Sequence, residues 1–114
     1  MAQYKHLPIY KTTYELLTLI TKRTKDYPRD FKYSLGDKIR NECVDLVVLI
    51  YKANSIKNRK ELIETIIERL NVIELLLRLS KDMRLLSVQG FAEIVELTDS
   101  LMRQANGWLK SQAN

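Results

Sequence analysis

The sequence predicts an all-α protein, folded as an antiparallel up-down-up-down four-helix bundle. Three glycines and two prolines leave few breaks in 114 residues. Between the breaks, apolar residues recur at spacings of three and four, the period of an amphipathic helix, in four successive segments. No stretch alternates apolar and polar residues as a half-buried strand would. About 90 residues are expected to be helical, and the short connections favour antiparallel neighbours.

The first predicted helix begins at Pro8, because the fixed φ of proline suits a first helical position. Pro28 ends it, since the residue before a proline is pushed out of the α region. Residues 28–33 are predicted to be the connection. Its inner stripe holds Ile9, Thr13, Leu16, Leu17, Ile20 and Tyr27.

The second predicted helix starts after Ser34, which together with Asp37 resembles a capping box, and ends near Asn54 and Ser55. Its stripe holds Leu35, Ile39, Cys43, Leu46, Val47 and Ile50.

The third predicted helix is capped by Asn58 and runs to about Met83. Its seam follows the 3, 4, 3, 4 spacing of a heptad pattern, at Ile63, Ile66, Leu70, Ile73 and Leu77. Ser87 caps the fourth helix, with Gly90 in its first turn. The inner face of this helix is predicted to hold Phe91, Ile94, Val95, Leu101, Ala105, Trp108 and Leu109.

Composition indicates one domain over residues 1–114. Hydrophobic residues make up 46%, ample for a packed core. No secretory signal is expected, because Met1 to Ile9 is polar and contains a proline. The longest apolar run, Leu46 to Tyr51, is far shorter than the roughly 20 residues of a membrane span. A cytoplasmic protein is therefore expected.

Few side chains could carry out chemistry. The single histidine, His6, lies before the first helix, and the single cysteine, Cys43, lies on an apolar stripe where a thiol behaves as a small hydrophobe. No Glu-x-x-His pair for a bundle metal site and no glycine-rich phosphate loop occur in the sequence. Glu61, Glu64 and Glu68 are expected on a solvated face. The sequence therefore predicts no catalytic residues, no metal, no cofactor and no enzyme activity.

The net charge is +5, and it is uneven along the chain. Residues 1–60 hold 13 basic and 6 acidic side chains, whereas residues 61–114 hold 6 basic and 8 acidic. In an antiparallel bundle, ten basic residues meet near one end, namely Lys22, Arg23, Lys25, Arg29, Lys32, Lys38, Arg40, Arg78, Lys81 and Arg84. A smaller group, of Lys52, Lys57, Arg59 and Lys60, lies at the opposite end.

Two interpretations of the larger basic group are open. Cations near helix C-termini complement the helix dipole, which accounts for half of the group without any partner. The remainder favours a nucleic-acid surface, since basic patches supply sequence-independent affinity for phosphates. Tyr27, Phe31 and Tyr33 lie among these charges, where they could stack on unpaired bases or plug the end of the bundle.

The second and third helices are apolar over more than one stripe. Leu46 to Tyr51 and Leu75 to Leu79 cannot all face one four-helix core, and surplus apolar surface is typical of a protein interface. A homo-oligomer is expected; the alternative is a bundle splayed enough to bury both sides.

The stretch from Tyr27 to Arg40, YPRDFKYSLGDKIR, resembles the first turn and second helix of a bacterial four-helix-bundle superfamily. There, an aromatic-Pro pair precedes a Ser/Thr-Leu-Gly start, and an alanine, here Ala53, lies near the helix end. One branch is encoded by intervening sequences within 23S rRNA genes. Another is the accessory variability determinant (Avd) of diversity-generating retroelements. LLRLSKD from Leu76, followed by the Leu-Leu-Ser turn that ends at Ser87, and NGWLK from Asn106 are similar to the Avd branch.

The Avd resemblance implies a non-enzymatic accessory protein. Such proteins form basic homopentameric barrels that bind nucleic acid and the reverse transcriptase of the element. The complex makes adenine-mutagenised cDNA from a template-repeat RNA. Arg78, Lys81 and Arg84 match the basic third-helix positions of the family and are the leading contacts, joined by Lys22, Arg23, Lys25, Arg29 and Lys32. The alternative is an oligomeric scaffold of the rRNA intervening-sequence type, with no assigned role.

Overall fold

The computed structural model describes residues 7–112, which form four long helices and one short one. They are α1 (Pro8–Thr24), α2 (Arg29–Lys32), α3 (Leu35–Asn54), α4 (Lys60–Asp82) and α5 (Val88–Lys110). Helix α1 packs against α3 and α5, and α4 packs against the same two helices. Together they form a rod of 46 × 20 × 19 Å. The predicted all-α four-helix bundle is confirmed, and no strand occurs in the described part of the chain.

The connection between the first two long helices is more ordered than the sequence predicted. Helix α1 ends at Thr24, three residues early, because the amides of Asp26 and Tyr27 donate to carbonyls three residues back and tighten the chain. Pro28 then starts a single helical turn, α2, in which its carbonyl accepts hydrogen bonds from the amides of Phe31 and Lys32. Residues 28–33 therefore connect the two long helices, as predicted, but they include one helical turn.

One of the three predicted helix caps forms. The Ser87 hydroxyl accepts a hydrogen bond from the amide three residues later, which confirms the cap of α5. The prediction for Ser34 was wrong, because its hydroxyl instead donates to the Asp30 carbonyl at 2.6 Å. The prediction for Asn58 was also wrong, since α4 starts one residue later, after Arg59.

The heptad pattern of α4 marks the core. Its five seam residues are fully buried, as predicted, at Ile63, Ile66, Leu70, Ile73 and Leu77. The opposing helices contribute Leu16, Ile20, Ile39, Leu46, Ile94 and Leu101 to the same core. Burying one such side chain contributes about 1.5–3 kcal/mol, so this seam provides much of the free energy of folding.

One buried ion-pair network crosses the bundle between α3 and α4. The Glu42 side chain is only 3% exposed, and its carboxylate lies 3.1 Å from Arg69 Nη1 and 3.2 Å from Lys38 Nζ. The network supplies the charge-assisted hydrogen bonds that a buried carboxylate requires. The sequence pattern did not identify Glu42 as buried.

Apolar side chains also remain on the outside of α3 and α4. The exposed stripes consist of Val44, Val48 and Tyr51 on α3 and of Leu75 and Leu79 on α4 with Met83 at its C-cap. Their spacings of three and four place each set along one face of its helix. The expected surplus of apolar surface is therefore present in this chain. None of the helices formed by residues 7–112 is long and apolar enough to cross a membrane.

Candidate nucleic-acid interface

The ends and the middle of the rod carry opposite charge. We define the loop pole as residues 20–40 and 78–92, the terminal pole as residues 7–12, 50–64 and 106–112, and the waist as the other described residues. The loop pole holds ten basic and four acidic side chains, and the terminal pole holds six basic and two acidic. The waist holds two basic and eight acidic side chains. Two positive ends therefore flank an acidic middle.

The eight predicted contact residues all lie at the loop pole. The fold brings the ends of α1 and α4 to the start of α5, where Arg23 Nη2 lies 2.8 Å from Glu93 Oε1. Lys81 Nζ lies 4.8 Å from the centroid of the Phe91 ring. Seven of the eight form no ion pair within residues 7–112, namely Lys22, Lys25, Arg29, Lys32, Arg78, Lys81 and Arg84. Arg23 is the exception, since Glu93 partly neutralises it.

Arg40, which the sequence placed in the same basic group, serves the fold. Its guanidinium donates to Thr24 Oγ1 at 2.6 Å and to the Lys32 carbonyl at 2.9 Å, and it also pairs with Asp37. A Cβ atom at Gly36 would lie only 3.3 Å from Arg40 Nη1, so the glycine makes room for this arginine. Arg40 therefore ties the end of α1, the α2 turn and the start of α3 together.

The three aromatic residues that the sequence placed among these cations differ in exposure. Tyr27 is only 4% exposed and packs in the core, so it plugs the end of the bundle. Burial raises the pKa of its hydroxyl, and the Ser80 hydroxyl lowers it in part. Tyr33 is 64% exposed, with Lys32 Nζ 5.6 Å from its ring centroid, and Phe31 is half-buried. Of these three, Tyr33 is therefore the aromatic side chain that is mostly exposed.

Arg84 has the only positive φ among the described residues, at 62°. It follows the C-cap of α4, where the Leu85 amide donates to the Ser80 carbonyl and the Arg84 amide donates to the Lys81 carbonyl. This is a Schellman motif, whose left-handed position glycine usually occupies. An L-residue there costs about 1 kcal/mol. An arginine at this position therefore makes the fold less stable than a glycine would.

The terminal pole contains a cavity of about 340 Å³ between the ends of all four long helices. The guanidinium carbon of Arg59 lies 5.8 Å from the centroid of the Trp108 ring at its rim. The other lining residues are Leu7, Pro8, Ile9, Asn54 and Gln104. The sequence pattern predicted Arg59 in the smaller basic group and Trp108 on the inner face of the last helix, but it did not predict that the two lie close together.

A family model described as bAvd-like matches residues 7–112. The chain belongs to the bAvd-like family. The match includes both the YPRDFKYSLGDKIR and the NGWLK segments, so the resemblance inferred from them is confirmed. No curated protein matches the sequence.

This bAvd-like chain offers little for catalysis among the residues described. Burial raises the pKa of the Cys43 thiol to about 12, and the neighbouring Glu42 charge adds to the shift, so the reactive thiolate is disfavoured at neutral pH. Glu61, Glu64 and Glu68 are exposed, as predicted for a solvated face. Within residues 7–112, no three His, Cys, Asp or Glu side chains are grouped to hold a metal. His6 lies outside the described residues.

Proposed function

We propose that this chain is a non-enzymatic accessory protein of a diversity-generating retroelement. In this role it acts in the cytoplasm, binds the reverse transcriptase of the element and its template RNA or cDNA, and enables mutagenic cDNA synthesis. The bAvd-like family match carries the proposal. The charge distribution supports a nucleic-acid role, because seven cations of the loop pole form no ion pair in the described part of the chain.

The proposed nucleic-acid contacts are Arg78, Lys81 and Arg84, assisted by Lys22, Arg23, Lys25, Arg29 and Lys32. Arg84 has the strongest individual support, because a strained backbone conformation persists where glycine would remove the strain. Tyr33 adds an exposed aromatic face beside these cations, on which an unpaired base can stack.

The proposed assembly is a homopentameric barrel. The exposed stripes of α3 and α4 support self-association, because they place six large apolar side chains on the surface of one small domain. Light scattering on the purified protein tests this part. A monomer at micromolar concentration contradicts the assembly without contradicting RNA binding.

The first experiment is a salt titration of binding to a structured RNA. We expect tight binding at low salt that weakens steeply as salt rises, because each phosphate contact contributes about 0.7–0.9 to the slope of log K against log salt. Co-purification with the reverse transcriptase encoded beside it tests the protein partner. Absence of RNA binding at low salt would contradict the nucleic-acid role, and absence of co-purification would contradict the partner.

A further inference from the structure

The cavity at the terminal pole has no role in the function proposed above. Its volume of about 340 Å³ lies at the small end of ligand sites, which span roughly 300–1,000 Å³. Its walls are mostly apolar, and polar groups are confined to a few side chains. Apolar walls with a few placed polar groups are typical of a site for a small, flat ligand or part of one.

Arg59 supplies this cavity with a cation, and Trp108 supplies it with an aromatic ring. Arg59 Nε donates to the Ile56 carbonyl at 3.0 Å, which holds the side chain while both terminal nitrogens stay free of ion pairs within residues 7–112. The guanidinium carbon lies 5.8 Å from the centroid of the Trp108 ring. Both side chains line the cavity, so one flat ring placed in it can contact the cation and the indole together.

The basic residues around the cavity favour a ligand whose ring is attached to a negatively charged group. Lys57 and Lys60 flank Arg59 in sequence, and Lys52 lies in the last turn of α3. None of the three forms an ion pair with a described residue. Gln104 is another lining residue, and its Nε2 donates to Thr12 Oγ1 and Ser100 Oγ, which holds its side-chain amide in place.

We propose that this cavity binds an unpaired nucleobase of single-stranded nucleic acid, stacked on Trp108 and covered by Arg59, with the adjoining phosphates on the lysines. The proposal rests on the proposed nucleic-acid role and adds a second, chemically different contact. The loop pole contacts phosphates, whereas the terminal pole also holds a base. Stacking on an aromatic side chain favours single strands over duplex, because paired bases do not present their faces.

Trp108 is the only tryptophan, so its fluorescence reports on this cavity alone. The probes are a ten-nucleotide single-stranded RNA, the same strand with abasic residues replacing its bases, and the duplex. We expect saturable quenching of Trp108 emission with the single strand, and none with the abasic strand or the duplex. Anisotropy of labelled versions of the three probes measures total binding independently.

The variant Arg59→Gln tests the covering cation. We expect it to weaken single-strand binding about 5- to 50-fold, the range of one base stack, with little effect on the abasic strand. Lys110→Gln is the matched control, since it removes one charge from the same pole outside the cavity. It should weaken both strands equally and leave the quenching unchanged.

The outcomes separate the two proposals. Binding by anisotropy without quenching overturns the base site and leaves the nucleic-acid role intact. Equal quenching by the abasic strand also overturns the base site, because phosphates alone would then account for the signal. No binding of any probe contradicts both. If Arg59→Gln instead abolishes capture of the reverse transcriptase and leaves RNA binding unchanged, the cavity serves a protein partner and the base site is wrong.

Discussion

The two ends of the rod have similar charge but use it differently. At the loop pole, seven cations form no ion pair within residues 7–112, but Arg23 pairs with Glu93 and Arg40 joins three elements of the fold. At the terminal pole, no cation forms an ion pair with a described residue, and the helix ends leave a cavity between them. Counting positive residues therefore does not locate a binding surface; their partners must be known as well.

The largest difference between the poles is expected in stability. Arg40→Met removes hydrogen bonds to Thr24 and Lys32 and the pair with Asp37, and we expect it to lower the free energy of unfolding by about 2–3 kcal/mol. Lys110→Met at the terminal pole should change it by less than about 0.5 kcal/mol. Urea denaturation measures both values, and equal losses would remove the contrast.

RNA affinity tests whether both ends bind. In one variant, Arg78, Lys81 and Arg84 of the loop pole are replaced by glutamine. In the other, Lys52, Lys57 and Lys60 of the terminal pole are replaced by glutamine. Each should reduce the slope of log K against log salt by about two to three, with a tenfold to hundredfold loss of affinity at about 0.1 M salt. If only one variant changes the slope, RNA contacts a single pole.

A smaller effect, an increase in stability, is expected from a change at Arg84. Arg84→Gly removes the strain of the left-handed backbone conformation, whereas glycine also gives the unfolded chain more conformational freedom. The net result should be a stabilisation of about 0.5 kcal/mol. The same change should weaken RNA binding through the lost charge. Arg78→Gly, inside α4, loses the same charge but should destabilise by about 1 kcal/mol. Thermal melts and RNA titrations of the pair measure both; a destabilised Arg84→Gly would contradict the strain argument.

The smallest expected effect lies in the waist. Burial raises the pKa of the Glu74 carboxyl, and the nearby Asp99 charge raises it further. The folded state then binds this proton more tightly than the unfolded state, so ionised Glu74 costs stability at neutral pH. This cost is relieved as pH falls through the raised pKa and disappears below the ordinary value of 4.5.

Glu74→Gln should therefore raise the Tm slightly at about pH 7 and give no advantage near pH 4. Glu96→Gln, an exposed carboxylate of the waist, is the control. A gain for Glu74→Gln that is the same at both pH values would show that general charge repulsion, not burial, is responsible.

The sequence predicted the parts of this fold that depend on local periodicity. The α4 seam repeats over many turns, so Ile63 to Leu77 could be assigned to the core directly. Glu42 could not, because its partner Arg69 is 27 residues away and a carboxylate beside a stripe looks like surface. The Ser34 cap was predicted wrongly because its hydroxyl donates to the Asp30 carbonyl instead, and the Asn58 cap was predicted wrongly because α4 starts one residue later.

The candidate site was predicted only in part, for the same reason. The eight predicted contact residues lie together at the loop pole, and antiparallel packing of the helices alone predicts this. The acidic waist could not be predicted from the charges of the two halves of the sequence, because each half contributes residues to both ends of the rod. The contact between Arg59 and Trp108 joins residues almost half the chain apart, and no local pattern contains it.

The alternation of charge along the rod also limits how copies of this chain can meet. A positive end, a negative middle and a second positive end form an axial quadrupole, so end-to-end contact brings like charges together and opposes growth into linear filaments. Side-by-side rods in perfect register are opposed as well, whereas tilted or staggered neighbours set an end of one against the middle of the next. Salt screens these forces beyond about 10 Å, so they act only on rods already in contact. Lateral association of this chain is therefore expected to be oblique.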